Sequence, residues 1–247
     1  MRARSQRRVV ADWQWGEDYA PLHRCDRHAF AWEWLRRSPA YQEACGSSLS
    51  NDPGRFGLHR FEPVEHSTAD ARPIWRRSVD PAVLSATAYG CLEGVFDLRP
   101  LKELASCKSD EDGCEHWLLS EGWRQVRLDI VGGTLKAGPV DLHFHVRGLR
   151  LAEAQVRALT RLLALVRRGR FLVSQFPPET RAPRWAQVLR VHDALVAGAS
   201  HREIAECLFG DIGPRWRITA PSWRRRVQRL AEAARMAASA DPRTWLR

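Results

Sequence analysis

No run of about 18 or more apolar residues occurs in the 247-residue chain, so a membrane-spanning helix is not expected. Its six cysteines (Cys25, Cys45, Cys91, Cys107, Cys114 and Cys207) form no C-x-x-C and no paired spacing. They read as free thiols acting as small hydrophobes in a reducing cytosol. Cys107, Cys114 and His116 match no common zinc spacing, so no metal site is expected there. A phosphate-cradling glycine loop, a nucleophile elbow, an H-E-x-x-H helix and paired-carboxylate motifs are all missing. Neither an enzyme nor a cofactor is therefore expected. The aromatic stacking signature of an RNP-type RNA-binding sheet is missing as well. The opening stretch MRARSQRRVV is basic, but it runs into Asp12, Trp13 and Gln14 rather than an apolar signal region.

Lysine is absent from residues 151–247, although that segment carries 18 basic side chains, all of them arginine. Against these stand 8 acidic side chains, so the segment holds the whole net charge of +10. Residues 1–100 and 101–150 are each close to neutral. Arginine presents a planar fork that fits phosphate, or the edge of guanine, at two points at once. A GC-rich genome would also favour arginine codons, so composition supports a polyanionic partner without fixing one. With 44% apolar residues and 11 tryptophans the chain can bury a real core.

The apolar spacing divides the chain. In DRHAFAWEWLRRSPAYQEAC, Phe30, Trp34 and Leu35 fall at helical spacing behind Asp26 as an N-cap, and Ser38-Pro39 starts a second short helix. Residues 46–81 hold scattered Gly and Pro and read as a linker. EHWLLS, WRQVRLDIV and PVDLHFHV read as strands of a small antiparallel meander. In the second of these, Val126, Leu128 and Ile130 alternate with Arg127 and Asp129, the mark of a strand buried on one face. His143 and His145 share a strand face but have no evident third ligand. After Gly148 the period becomes 3.6: Val156, Leu159, Leu163 and Val166 form a stripe ending at Gly169. A further helix carries Trp185, Val188, Leu189, His192 and Val196 on one face and ends at Gly198. The expected class is α+β and mostly α: a small N-terminal helical segment, a small antiparallel sheet, then a C-terminal helical domain. The expected units are residues 1–80 and 81–247.

The informative stretch is VHDALVAGASHREIAECLFGD, residues 191–211. Gly198 breaks one helix, and Ser200 with Glu203 makes an S-x-x-E capping box for the next, whose Ile204, Ala205 and Leu208 point inward. That is what a helix-turn-helix requires of its first two elements. In the following helix, APSWRRRVQRLAEAARMA, Trp223, Val227, Leu230, Ala231, Ala234 and Ala238 fall on one side at 100° per residue. Arg225 and Arg229 fall opposite, flanked by Ser222, Arg226 and Gln228. This face could equally be a merely solvated one. Its place in the basic third, directly after a capped short helix, favours double-stranded DNA. The expected DNA-binding residues are Ser200, His201, Arg202, Arg215, Arg217, Ser222, Arg224, Arg225, Arg226, Gln228 and Arg229. GDIGPRWRITAP is longer than the usual connector, and its Arg215 and Arg217 suit a basic wing.

Long phrases of the chain resemble a proteobacterial regulator family. WQWGEDYAPL, DRHAFAWEWLRRSPAYQ, RFGLHRFE and ARPIWR carry the N-terminal likeness. LDIVGGTLKAGPVDLHFHVRGL, RLLALVRRGRF, FPPE, RAPRWAQVLRVHDALVAGASHREIAECLFG and SWRRRVQRLAEAARMA carry the C-terminal one. Members join a short regulator-like domain to a variant helix-turn-helix. They include FseA-type activators of excision and transfer genes in integrative and conjugative elements, and QseM-type antiactivators that silence them. The resemblance implies DNA binding by the helix-turn-helix, as in the activators, and contact with a related antiactivator. The missing membrane span and signal region point to a cytoplasmic, nucleoid-associated protein, and RNA polymerase is a further candidate partner. The rival expectation is an antiactivator or protein-interaction module that binds such a regulator without reading bases; the N-terminal Trp13, Trp15, Trp32 and Trp34 suit contacts of that kind as well as core packing.

Overall fold

The computed structural model describes residues 12–47, 52–91, 96–146, 148–210, 212–213 and 221–246. A 3-10 turn, Gly16–Arg24, leads into helix α1, Arg27–Leu35, and helix α2, Pro39–Gly46. Asp26 caps α1 as expected, its carboxylate accepting the Ala29 N–H at 3.2 Å, and Pro39 opens α2. Trp32 and Trp34 are buried, whereas Trp15 is exposed.

Residues 57–80 are irregular, but they are no free linker. Leu58, Ile74 and Trp75 are fully buried there, and Leu58 and Trp75 form an isolated antiparallel bridge. Behind them lies a five-stranded sheet of β1 (Leu84–Gly90), β2 (Ala105–Ser109), β3 (Glu115–Glu121), β4 (Arg124–Gly132) and β5 (Val140–Phe144), ordered β2-β3-β4-β1-β5. β2, β3 and β4 form the expected meander. β1, with small Ser, Ala and Thr side chains, slides in parallel beside β4 and leaves β5 to pair antiparallel on its far side. The sheet is therefore mixed rather than wholly antiparallel. At the end of β4 the chain turns at Gly133, φ +76°, where a Cβ would lie 1.9 Å from the Ala88 carbonyl oxygen. Only glycine fits.

One sheet face, with Leu84, Ala86, Leu119, Val126, Leu128 and Ile130, packs on helix α3, Leu149–Arg168. The other face was expected to be wet, yet Arg127 is only 2% exposed and Asp129 is buried beside it. Residues 57–80 cover this face. Arg127 donates to the Trp75 carbonyl through Nε (3.1 Å) and Nη2 (2.9 Å), to Asp129 Oδ1 (2.9 Å), and to the Trp117 carbonyl. A guanidinium with all three nitrogens directed at oxygens can stay charged out of water.

The expected α3 stripe is rotated by one residue. Ala158, Leu162 and Leu165 face the sheet with Gln155, Leu159 and Val166 flank them, and Val156 and Leu163 turn to solvent. The sheet claimed the larger neighbouring leucines, so two adjacent apolar stripes compete on this helix and only one is covered. Gly169, φ +65°, ends α3 as expected.

Helices α4 (Ala182–Val196), α5 (His201–Phe209) and α6 (Pro221–Ser239) follow, then a 3-10 turn, Pro242–Leu246. Their core also takes in Tyr19, Leu22, Phe30 and Trp34 from the beginning of the chain. The closing turn packs on α1, where Trp245 lies 6.0 Å from Phe30 and 6.4 Å from Trp34 and meets Trp185 of α4 edge-on at 4.6 Å. Val196, expected on the buried face of α4, is exposed beyond the last covered turn.

A buried ionic group fastens α1 to α4. Arg37 grips Asp193 with two hydrogen bonds, Nε–Oδ1 at 2.7 Å and Nη2–Oδ2 at 2.8 Å, and its Nη1 also donates to Glu33. Tyr19 adds its hydroxyl to Asp193 at 2.6 Å, and Arg36 and Thr68 satisfy Glu33 at 2.8 and 2.6 Å. Burial would raise the Glu33 pKa, but Arg37 and Arg36 outweigh it and bring it down to about 2. Replacing Arg37 with methionine leaves the buried Asp193 carboxylate without its cation and Glu33 with Arg36 alone. We expect a loss of about 3–5 kcal/mol, measured by urea unfolding. An Arg37→Met, Asp193→Leu double variant should recover part of that loss, and a double no better than the sum of the singles would contradict the pairing.

His28 offers a test by pH. Burial disfavours its charge, but Asp80, with Oδ2 3.1 Å from Nε2, and Asp26 raise its pKa from the ordinary 6.5 to about 10. The folded pKa exceeds the unfolded one, so this stabilisation is complete below about pH 6.5 and disappears as the pH climbs through about 10. The stability gap between the parent and His28→Gln should therefore narrow across that interval. A gap that stays constant in urea titrations would refute the assignment.

Candidate functional site

The C-terminal helices build one exposed basic face. α4 hands over to α5 through Ala197–Ser200, with Gly198 at φ +80°. The capping box forms as expected: the Ser200 side chain accepts from the Glu203 N–H at 3.3 Å, and Glu203 accepts from the Ser200 N–H at 2.7 Å. Ile204 and Ala205 point inward and Leu208 is partly covered. α6 then packs on both α4 and α5 through Val227, Leu230, Ala231 and Ala234. Ser222, Arg224, Arg225, Arg226, Gln228 and Arg229 are all exposed.

Two residues expected on the core side of α6 are not in the core. Ala238 is exposed, and Trp223 is 37% exposed. Both lie near the helix ends, where a neighbouring helix no longer covers them. Trp223 instead stacks on Phe209 of α5 at 5.6 Å, and the Arg226 guanidinium lies over the other ring of this pair, Phe209, at 5.0 Å. That contact orients the first turn of α6.

The remaining expected residues separate by place. Ser200 is exposed and used as a cap, and His201 is half-buried. Arg202 is exposed and holds Glu206 one turn on at 2.8 Å. Arg215 and Arg217 lie outside the described residues.

Sequence reasoning missed the residues facing α6 across a cleft of about 770 Å³. His23, Arg184, Gln187 and Arg190 line it together with Arg226 and Arg229, and among the described residues no carboxylate does. Arg190 is held by the Trp13 carbonyl at 2.7 Å and the Gln14 carbonyl at 2.9 Å, which leave its charge uncancelled. The signal was available: Arg184 and Arg190 lie off the apolar face of α4. What the periodicity could not say is that this side of α4 meets α6. A low-dielectric cleft lined by cations of one sign concentrates positive potential and attracts anions.

The polar sheet face gathers His59, Asp110 and His116, with ligand atoms within 4.8 Å of one another. The rings of His59 and His116 stack nearly parallel, 3.5 Å apart and 20° inclined. Face-to-face rings direct their nitrogens side by side rather than toward one ion. His116 is bonded from both ends, to Asp129 and Asp110 at 2.8 Å each, which outweighs burial and raises its pKa. Burial and the neighbouring His116 lower that of His59 to about 4. The pair fits a hydrogen-bonded imidazolium on a neutral ring better than a metal centre. Cys107 pairs with Trp117 and His116 with Lys108, so Cys107 and His116 occupy opposite sheet faces. His143 is tilted against Tyr89 at 4.7 Å, and His145 bonds the Thr87 hydroxyl at 2.8 Å.

Comparison with known proteins adds two matches. Residues 12–72 match a proteobacterial transcriptional regulator-like domain, and residues 141–247 match the DNA-binding domain of a T6SS transcription factor. No curated protein and no solved structure matches the chain. The second match spans α3 through the closing turn and contains the basic face; the first contains α1, α2 and Arg37. The chain is thus similar at one end to a transcriptional regulator-like domain and at the other to the DNA-binding domain of a transcription factor.

Proposed function

We propose that the chain is a transcriptional activator that reads double-stranded DNA with a helix-turn-helix made of α4, α5 and α6. One observation carries the reading. α6 buries Val227, Leu230, Ala231 and Ala234 against the other two helices while its opposite side is an unbroken donor face of Ser222, Arg224, Arg225, Arg226, Gln228 and Arg229. Arginine, glutamine and serine are the side chains that recognise guanine, adenine and phosphate, and the N-terminal half of such a helix is the part that enters the major groove. Arg225 and Arg229, one turn apart and opposite the core, suit base edges. Arg202 at the start of α5 and Arg184 across the cleft suit phosphates. The resemblance to conjugative-element regulators supports excision and transfer genes as targets and contact with an antiactivator. The proposal includes a cytoplasmic location at the nucleoid and RNA polymerase as a further partner. No catalytic role is proposed.

Arg225→Ala and Arg229→Ala should each keep the parent's melting temperature and cost about 1–3 kcal/mol of binding to the operator, with little effect on scrambled DNA. Arg184→Ala should weaken both DNAs alike and reduce the log–log salt slope by about one contact, roughly 0.9. Trp223→Ala should cost less stability than the about 3–5 kcal/mol of a fully buried aromatic, because the side chain is already partly in water. Titrations on both DNAs at several salt concentrations, paired with thermal melts, measure all of this. Operator binding unchanged in both Arg225→Ala and Arg229→Ala would transfer support to the antiactivator reading.

A further inference from the structure

Helix α3 carries a second apolar stripe whose inner edge, Leu159 and Val166, flanks the sheet core and whose outer edge is left open by the described residues. Leu149, Val156 and Leu163 recur every seventh residue and are 95%, 56% and 47% exposed. Ala152, Leu159 and Val166 follow three positions after each, and all are only partly buried. This is the a/d spacing of a helix that packs against another helix, sustained over the 20 residues of α3. The stripe runs on into the sheet edge. Val156 and Leu159 line a crevice with Phe144 and Val146, Phe144 ends the edge strand β5, and Val146 just beyond is also exposed. So much contiguous apolar surface is unusual on a chain that stays alone in water.

The pattern also says what covers it. Laid antiparallel on a copy of itself about a two-fold axis, Leu149 meets Val166, Val156 meets Leu159, and Leu163 meets Ala152, each layer occurring twice. Larger side chains then face smaller ones at the ends. Beside the stripe lie Glu153, Thr160 and Arg167, all exposed. The same antiparallel arrangement puts Glu153 opposite Arg167 of the second copy, with Thr160 facing itself on the axis. A parallel arrangement would instead set these positions against Gly148 and Leu162 of the second copy, where no opposite charge stands. A surface whose two halves complement each other under a two-fold rotation is what an isologous interface requires.

We infer that this face of α3 is a homodimer interface, with α3 of a second copy packed antiparallel along Leu149, Val156, Leu159, Leu163 and Val166. The inference rests on α3 alone and stands whether or not α6 reads DNA. On forming the pair, Glu153 exchanges its exposed intrahelical partner Arg157 for Arg167 across the interface, at little cost because such surface pairs are weak.

The test is sedimentation equilibrium of the full chain over a range of concentrations, with thermal melts as a control for folding. The parent should sediment as a dimer. Leu163→Glu, at a side chain already half in water, should sediment as a monomer and keep its helical circular dichroism. Glu153→Arg and Arg167→Glu should each weaken the dimer about tenfold, the worth of losing two symmetry-related exposed pairs. Combining them restores opposite charges, so the double variant should return to near the parent's dissociation constant. A monomeric parent would overturn the inference. So would a Leu163→Glu chain that still dimerises, or a charge-swapped double no tighter than the singles. DNA binding by a strictly monomeric parent would leave the proposed function intact and remove only this interface.

Discussion

The bidentate grip of Arg37 on Asp193 holds the two ends of the chain together. Its members are far apart in sequence, Arg37 beside α1 and Asp193 near the end of α4, yet both are buried and fully hydrogen-bonded. Formed between rigid helices, it fixes how α1 and α4 lie against each other. The aromatic side chains Phe30, Trp34, Trp185 and Trp245 then fill the space beside it. Replacing such a group with apolar residues need not weaken a fold, so its contribution is as much orientation as energy. α4 in turn supports α6, and the basic face of α6 inherits its direction from this chain of contacts.

The same arrangement explains why positive charge collects where it does. Arg184 and Arg190 of α4 and Arg226 and Arg229 of α6 converge on one cleft because the two helices bury their apolar sides against each other. The buried arginines, by contrast, are neutralised: Arg37 by Asp193 and Glu33, Arg127 by Asp129, Arg36 by Glu33. Acidic side chains are thus spent in the interior of the N-terminal half and the sheet, and the C-terminal helices are left with a net excess at the surface. A surface of this kind steers polyanions by long-range attraction before any specific contact forms.

Local signals in the sequence were enough for the helices and their ends. Asp26, Ser200 with Glu203, Gly169 and Gly198 act through hydrogen bonds or backbone angles within a few residues, so their meaning does not depend on the rest of the fold. The inward set Ile204, Ala205, Val227, Leu230, Ala231 and Ala234 followed from helical period for the same reason, and with it the donor face of α6. Where two readings of a local pattern were equally good, tertiary contact chose between them. α3 has two apolar stripes at helical spacing, and only the position of the sheet decides which one is buried. Trp223 has the right phase for the core but lies beyond the reach of α4, so it stacks on Phe209 at the surface instead.

The amino-acid sequence by itself determined the mostly helical α+β class, the capped helix pair after Gly198 and the concentration of arginine in the last third. Each of these depends on neighbours along the chain. The tertiary structure decided that β1 pairs parallel to β4, that residues 57–80 bury the Arg127 side of the sheet, and that Arg184 and Arg190 join the α6 face. These are contacts between segments distant in sequence, set by which surfaces can be covered at once and by which buried charges can find partners. Alternation along β4 could show that Arg127 and Asp129 share a face, but whether that face meets water or Trp75 depends on a segment 52 residues away in the chain.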